Sequence, residues 1–337
     1  MQLFKTTHID FIGKRKMYYI VSLVITLAGI GAASLRGVEY GIDFEGGIEA
    51  AFEFDKPLDI GQLRNAVTAA GFESNEVKSY GDANQYLIRI KHDPDDGAAP
   101  VIGKPKETDR LREKLTAAFA GNAVTLLKVD NIGPKIGAEL RQDAFTALIV
   151  AMIAILLYIT FRYELVLGIA AILALLHDVL VTFSFTVICN GLFGLNLEMN
   201  QGMLAAFLTV VGFSINDTVI NFDRLRENRV LHKGENMMML VNRSVNETLP
   251  RTLLTGVCVV LVLLVLLFFS GEVLRGFAFV MLIGLITGTY SSIFVAGSFV
   301  VDWLIYKGKL DPKARRDFRD ASTPVIGDRT RSAVARA

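Results

Sequence analysis

Cysteine is nearly missing from this chain, and two classes of protein go with it. Its 337 residues include two, Cys189 and Cys258, both in apolar runs and without a C-x-x-C spacing. A disulfide framework and a zinc site are thereby excluded, and both thiols are expected as small core residues. Surplus charge is missing as well. Against 34 acidic side chains stand 35 basic ones, a net +1, without the basic face that binding nucleic acid requires. No G-x-S-x-G, H-E-x-x-H, P-loop or G-x-G-x-x-G occurs, so neither an enzyme nor a cofactor site is expected. Any transport would then draw on an ion gradient or a partner. One charge crossing 100 mV is worth about 2.3 kcal/mol, enough when several protons are coupled.

What the chain does have is apolar sequence, 52% of its residues, at a mean hydropathy of +0.43. It is clustered into six runs near the roughly 20 residues that span a bilayer core: 17–35, 142–160, 165–190, 201–222, 252–271 and 276–305. The first is long for a cleaved signal and lacks a clear A-x-A site, which makes it a retained anchor. Basic residues lie before span one (Lys5, Lys14, Arg15, Lys16), between spans four and five (Arg224, Arg226, Arg229, Lys233, Arg243) and after span six (Lys307, Lys309, Lys313, Arg315, Arg316, Arg319). Counted alternately, the three groups share one side, so 1–16, 223–251 and 306–337 are expected to be cytoplasmic.

The large segment on the other side, 36–141, is expected to fold as an external, periplasmic domain. "IEAAFEF" reads as a strand, and "LDIGQLRNAVTAAG" as a helix capped by Asp59 and stopped at Gly71. "EVKSYGDANQYLIRIK" reads as a hairpin, and 93–106, with three prolines, as a loop. A helix in "ETDRLREKLTAAFAG" and a strand in "AVTLLKVD" complete βαββαβ, a small ferredoxin-like α+β unit. The connection 223–250 is amphiphilic and basic. It is expected either as a helix lying along the membrane face or as a contact surface for a partner. The tail after Gly308 is polar, without a core pattern, and expected to be disordered.

Polar groups inside the spans are the candidate site. Span four places Ser214, Asp217, Thr218 and Asn221 at spacings of three and four, hence on one face, with Asn216 in the same stretch. Asp217 lies six residues, about 9 Å, inside the inner boundary. Arg251 begins span five directly after Pro250, which suits a first helical turn, and its side chain is long enough to approach that depth. The pair reads either as a fixed ion link between two helices or as a protonatable acid loaded and unloaded by a moving arginine. Span three offers His177 and Asp178. As neighbours on a helix they are expected not to enter one narrow site together. His177 either relays protons or is satisfied by a backbone or hydroxyl partner. Gly284 and Gly288 form a small-xxx-small pair on span six, suited to close contact within this bundle or with another chain.

"VGFSINDTVINFDRLREN" (211–228) closely resembles the fourth-span signature of the smaller subunit in the SecD/SecF family, within the RND superfamily. "GIDFEGG" (41–47) resembles the family's G-x-D-F-x-G-G motif, which opens the external domain. "LLHDVLVT" resembles the His-Asp motif of span three, "VNETLPRTLLT" the R-T-x-x-T start of span five, and "LRGFAFVMLIGLITGTYSSIFVA" the glycine-rich sixth. The match runs from about residue 5 to 306. It implies an accessory of protein export in the bacterial inner membrane that uses proton-motive force to help move preproteins. Its partners would be SecD, the SecYEG channel, SecA and YajC, with protons as the coupling ion. It carries proton transfer onto Asp217 and Arg251 and a supporting role onto His177 and Asp178. Asp43, with Gly41, Gly46 and Gly47, is expected in a structural turn at the membrane exit. The compact, polar domain argues against a small-molecule efflux half-transporter, while a scaffold that moves no ions stays open.

Overall fold

Lipid cannot bond exposed backbone, so long apolar runs must become helices. The computed structural model describes residues 9–72, 75–81, 83–90, 107–192, 195, 197–270 and 272–310. Among them are six helices long and apolar enough to cross a membrane, with an α+β domain between the first two. In chain order come α1 (Arg15–Arg36), the short α2 (Ile42–Glu45), β1 (Gly47–Phe54), α3 (Ile60–Ala69), β2 (Asn75–Ser79), β3 (Gln85–Ile90), α4 (Glu107–Ala118) and β4 (Val124–Ile132). There follow α5 (Pro134–Arg162), α6 (Leu165–Cys189), α7 (Gln201–Leu231), α8 (Met237–Phe269) and α9 (Glu272–Ser291). A π-helical turn (Ser292–Ala296) then leads into α10 (Gly297–Tyr306). The segment expected as a loop at 93–106 and the tail beyond residue 310 lie outside the described residues.

The domain is the expected ferredoxin-like unit, a sheet of order β2-β3-β1-β4 with every neighbour antiparallel. Strand alternation aims Ala50, Phe52 and Phe54 of β1 at one face, where they meet Leu63, Val67, Leu111 and Leu115 of α3 and α4, all buried. The Asp59 side chain accepts from Gln62 N at 3.0 Å, capping α3 as expected. Gly71 follows the helix end at φ +93°, a conformation that favours glycine.

In the bundle, α6, α7 and α9 form the interior. On α1, α5 and α8 apolar side chains such as Leu23, Ile153 and Leu261 point outward, as lipid contact requires. Gly284 lies against Val210 of α7. A Cβ on Gly288 would come within 3.1 Å of Ser214 Cβ. The small-xxx-small pair therefore serves a contact inside this chain, α9 on α7.

Three expectations about the connection between spans four and five give way. Residues 223–250 do not form a helix of their own. They extend α7 to Leu231 and begin α8 at Met237, with the chain reversing between. Asn236 caps α8 by accepting from Met238 N at 2.9 Å, so Pro250 sits inside a helix rather than in its first turn, a position span helices tolerate. The Met-rich stretch offers little free surface, because Met238 and Leu240 are buried against Phe11 and Ile12. Cys258 is also not a core residue. It is an exposed free thiol on the outward face of α8, and Cys189 is half-buried.

Candidate functional site

Among the described residues the most buried charged side chain is Asp178 of α6, with 0% of its surface exposed. Ser214 of α7 and Ser291 of α9 both donate to its Oδ2, the latter at 2.7 Å. Its Oδ1 lies 2.9 Å from His177 Nδ1. The imidazole's Nε2 lies 2.8 Å from Ser22 Oγ of α1, and its ring stacks on Tyr290 at 5.9 Å. The Tyr290 hydroxyl donates to Tyr18 O at 3.0 Å. With Asp178 ionised and the imidazole neutral, Nδ1 is the donor and Nε2 accepts from Ser22. Three helices thus meet on one carboxylate, with α1 joined to it through His177, and the apolar surroundings make these hydrogen bonds costly to lose.

This corrects the expectation that His177 and Asp178 cannot share a site. Successive Cβ atoms diverge by about 100° around a helix, but an imidazole and a carboxylate are long enough to bend back and touch at their ends. It also supplies Asp178 with a partner that was not evident in the sequence.

The span-four stripe divides by helical phase. Relative to Ser214, Asn221 lies about 20° to one side, Thr218 about 40° to the other, and Asp217 about 60° round. Ser214, Thr218 and Asn221 are buried accordingly, Asp217 is half-buried at the edge, and Asn216, on the far side, is exposed. Thr248 of α8 donates to Asn221 Oδ1, and Asn221 Nδ2 donates to Ser292 O at 3.2 Å. A π-helical turn changes the α-helical bonding pattern, and Asn221 occupies the carbonyl at its first residue.

The Asn221–Thr248 contact fixes the line along which α7 and α8 face each other. From that line, Asp217 and Arg251 rotate to the same outer edge of the seam, about 6 and 4.5 Å from the contact toward the domain. Thr218 and Thr252, also one turn away, rotate inward and are buried. Arg251 is exposed, and among the described residues no hydrogen bond or ion pair joins it to Asp217. The fixed ion link is therefore not formed, although the two residues share an edge and nearly a level.

At the domain end, the backbone of Gly41 donates to Met199 O at 2.9 Å, and Asp43 Oδ2 accepts from Gln201 N, the first residue of α7, at 3.0 Å. Gly46 (φ +76°) and Gly47 (φ +137°) turn the chain into β1, and a Cβ on Gly47 would crowd Ile90 O at 2.8 Å. At the opposite end, the Tyr163 hydroxyl donates to Asp223 Oδ1 at 2.8 Å. Burial, then this bond, raises its pKa above the usual phenol range. Among the described residues no cluster of potential metal ligands occurs.

Sequence reasoning missed Ser22, Tyr290 and Ser291. Serines in apolar runs carry no signature of their own; the one available signal was a buried acid on span three that lacked partners.

Six membrane-length helices, an inserted ferredoxin-like domain and buried polar contacts define an α-helical integral membrane protein of the transport type. The profile for the family "Protein export membrane protein SecD/SecF, C-terminal" matches residues 111–305. Protein translocase subunit SecF of Desulfurispirillum indicum is 38% identical over 300 residues, covering 88% of this chain and 92% of that one. The same subunit of Magnetococcus marinus is 39% identical, covering 94% and 96%. The crystal structure of SecDF, a translocon-associated membrane protein of Thermus thermophilus, superposes with a TM-score of 0.75 at 33% identity. That match covers 88% of this chain and 39% of the SecDF chain, so this chain spans well under half the length of that protein. The chain belongs to the SecD/SecF family of protein export membrane proteins.

Proposed function

We propose that this chain is the smaller half of a proton-driven accessory to protein export, paired with a separate SecD in the bacterial inner membrane. It works beside the SecYEG channel and after the SecA ATPase, with YajC as a further associate, and helps draw preproteins out on the domain side. Both termini are cytoplasmic. Protons are the coupling ion, and the chain itself performs no bond chemistry.

The observation that carries this reading is the placement of Asp217. An acid at membrane depth is costly and marks a pathway by default. Among the described residues it has no fixed counter-charge, and it sits on an open edge of the α7–α8 seam, with Arg251 on the same edge. An acid so placed can exchange a proton, while Asp178, sealed by hydrogen bonds, fits a support that holds α7 and α9 in register. The match to 39% of the SecDF chain fits one half of a two-part machine, with SecD covering the exposed polar edge. The scaffold reading gains from the sealed state of Asp178, and the same experiment separates the two.

That experiment measures proton flux and preprotein release in vesicles holding the chain with SecD, wild type against Asp217→Asn. We expect both to fall at least tenfold with the complex intact. Flux and release at wild-type level would make Asp217 a structural contact and leave the scaffold reading standing.

A further inference from the structure

The chain enters the domain from α1 and leaves it into α5; α7, which bears Ser214 and Asp217, has no direct covalent connection to it. Its tie is non-covalent and lies in the segment just before its first residue. There Glu198 exposes only 4% of its surface. Arg89 Nη2 of β3 approaches Glu198 Oε2 at 2.6 Å, and Lys78 Nζ of β2 meets Oε1. Arg89 also reaches Glu49 of β1 at 2.9 Å. Met199, the next residue, exchanges backbone hydrogen bonds with Glu39 and Gly41 at 2.9 Å each.

We infer that Glu198 is the joint through which a shift of α7 is transmitted to the external domain. The assignment rests on the proposed function for what the motion accomplishes, but not for the joint itself. Two cations from adjacent strands grip one buried carboxylate. A carboxylate so held resists displacement more than backbone bonds alone, since pulling it away from both cations would leave its buried charge without a counter-charge. It is also placed for transmission. Between Glu198 and Gln201 there are two residues, and from Gln201 a continuous helix runs to Asp217. Glu198 is thus a positioning residue, remote from the acid it serves.

The test uses the full chain with SecD in vesicles, with Cys189 and Cys258 replaced by serine. Spin labels are placed at Asn65→Cys on α3 and Gln201→Cys on α7, both exposed. Glu198→Gln keeps the shape and removes the charge; Arg89→Gln attacks the same contact from the domain. Each should at least double the width of the label distance distribution. Glu49→Gln, which takes only the in-domain partner from Arg89, should leave it at wild type. In the same vesicles, both joint variants should keep proton flux within twofold of wild type while preprotein release falls at least fivefold. An unchanged distribution in Glu198→Gln overturns the joint, as does a flux that falls in step with release. If wild-type flux proves independent of Asp217, the proposed function fails, and the distance measurement still decides whether Glu198 holds the domain to α7.

Discussion

Ser291 donates to Asp178 Oδ2 across 2.7 Å, and the residue after it opens the π-helical turn of the sixth span. The hydrogen bond and the helix irregularity are adjacent, so the last regular turn of α9 is pinned to α6 just before the helix changes pitch. Ser214 pins α7 to the same oxygen. Asp178→Ala removes the acceptor of Ser214 and His177 and leaves Ser291 only the Gly288 carbonyl. At about 0.6 kcal/mol for each bond in a membrane bundle, and more for a buried donor left unpaired, the loss should total about 2–5 kcal/mol. Asp178→Asn, which keeps an acceptor for the serines, should cost less than half of that. Thermal unfolding of the detergent-solubilised chain reads both, and equal losses would place the energy elsewhere.

Gly284 makes a second, purely steric prediction. A methyl group there would meet the Val210 side chain, whereas one on Gly31 meets nothing within 4 Å. Overfilling a packed contact costs about 1–3 kcal/mol. Gly284→Ala should lower the melting temperature by several degrees, with Gly31→Ala unchanged. The opposite order would mean that α9 and α7 are not held at this distance.

The shared edge of Asp217 and Arg251 is a claim about helical phase, and cysteines can test it. In a chain without its native thiols, Asp217→Cys with Arg251→Cys should be joined by a bifunctional reagent about 8 Å long, a length chosen to match interaxial spacings of 8–10 Å. Asp217→Cys with Thr252→Cys should react at least fivefold more slowly, because Thr252 turns inward. Equal rates would refute the phase argument and remove the seam edge as a proton site.

Much of this fold was legible because its signals are local. Twenty apolar residues specify a span wherever they sit, and the Asp59 cap and the Gly71 stop act within a few residues of themselves. Asp217 stood out for the same reason, as an acid against an apolar background. The sealed acid did not, because its partners Ser214 and Ser291 come from two other helices and only packing brings them together. Pro250 misled because proline's local preference for a first turn was overridden by a helix already started at the Asn236 cap. Glu198 carried no local signal, since its two cations are more than 100 positions away.

Asn242 and Asn246 of α8 lie where the sequence suggested a membrane-surface segment, and they hold residues 9–12, which lead into α1. Asn242 Oδ1 accepts from Phe11 N at 2.9 Å and Ile12 N at 3.1 Å, while Asn246 bonds Ile9 through both its N–H and C=O, each at 2.9 Å. Phe11 and Ile12 are buried beside them, so water cannot readily replace the side-chain oxygen. Asn242→Leu therefore strands two buried donors, at about 1–3 kcal/mol each. Local opening of residues 9–14 should become easier by that amount. Amide hydrogen exchange at Phe11 and Ile12 should accelerate at least tenfold, with β1 and β3 of the domain unaffected. Exchange at the wild-type rate would mean that the segment is held by its apolar side chains alone, and the asparagines would then be incidental to its docking.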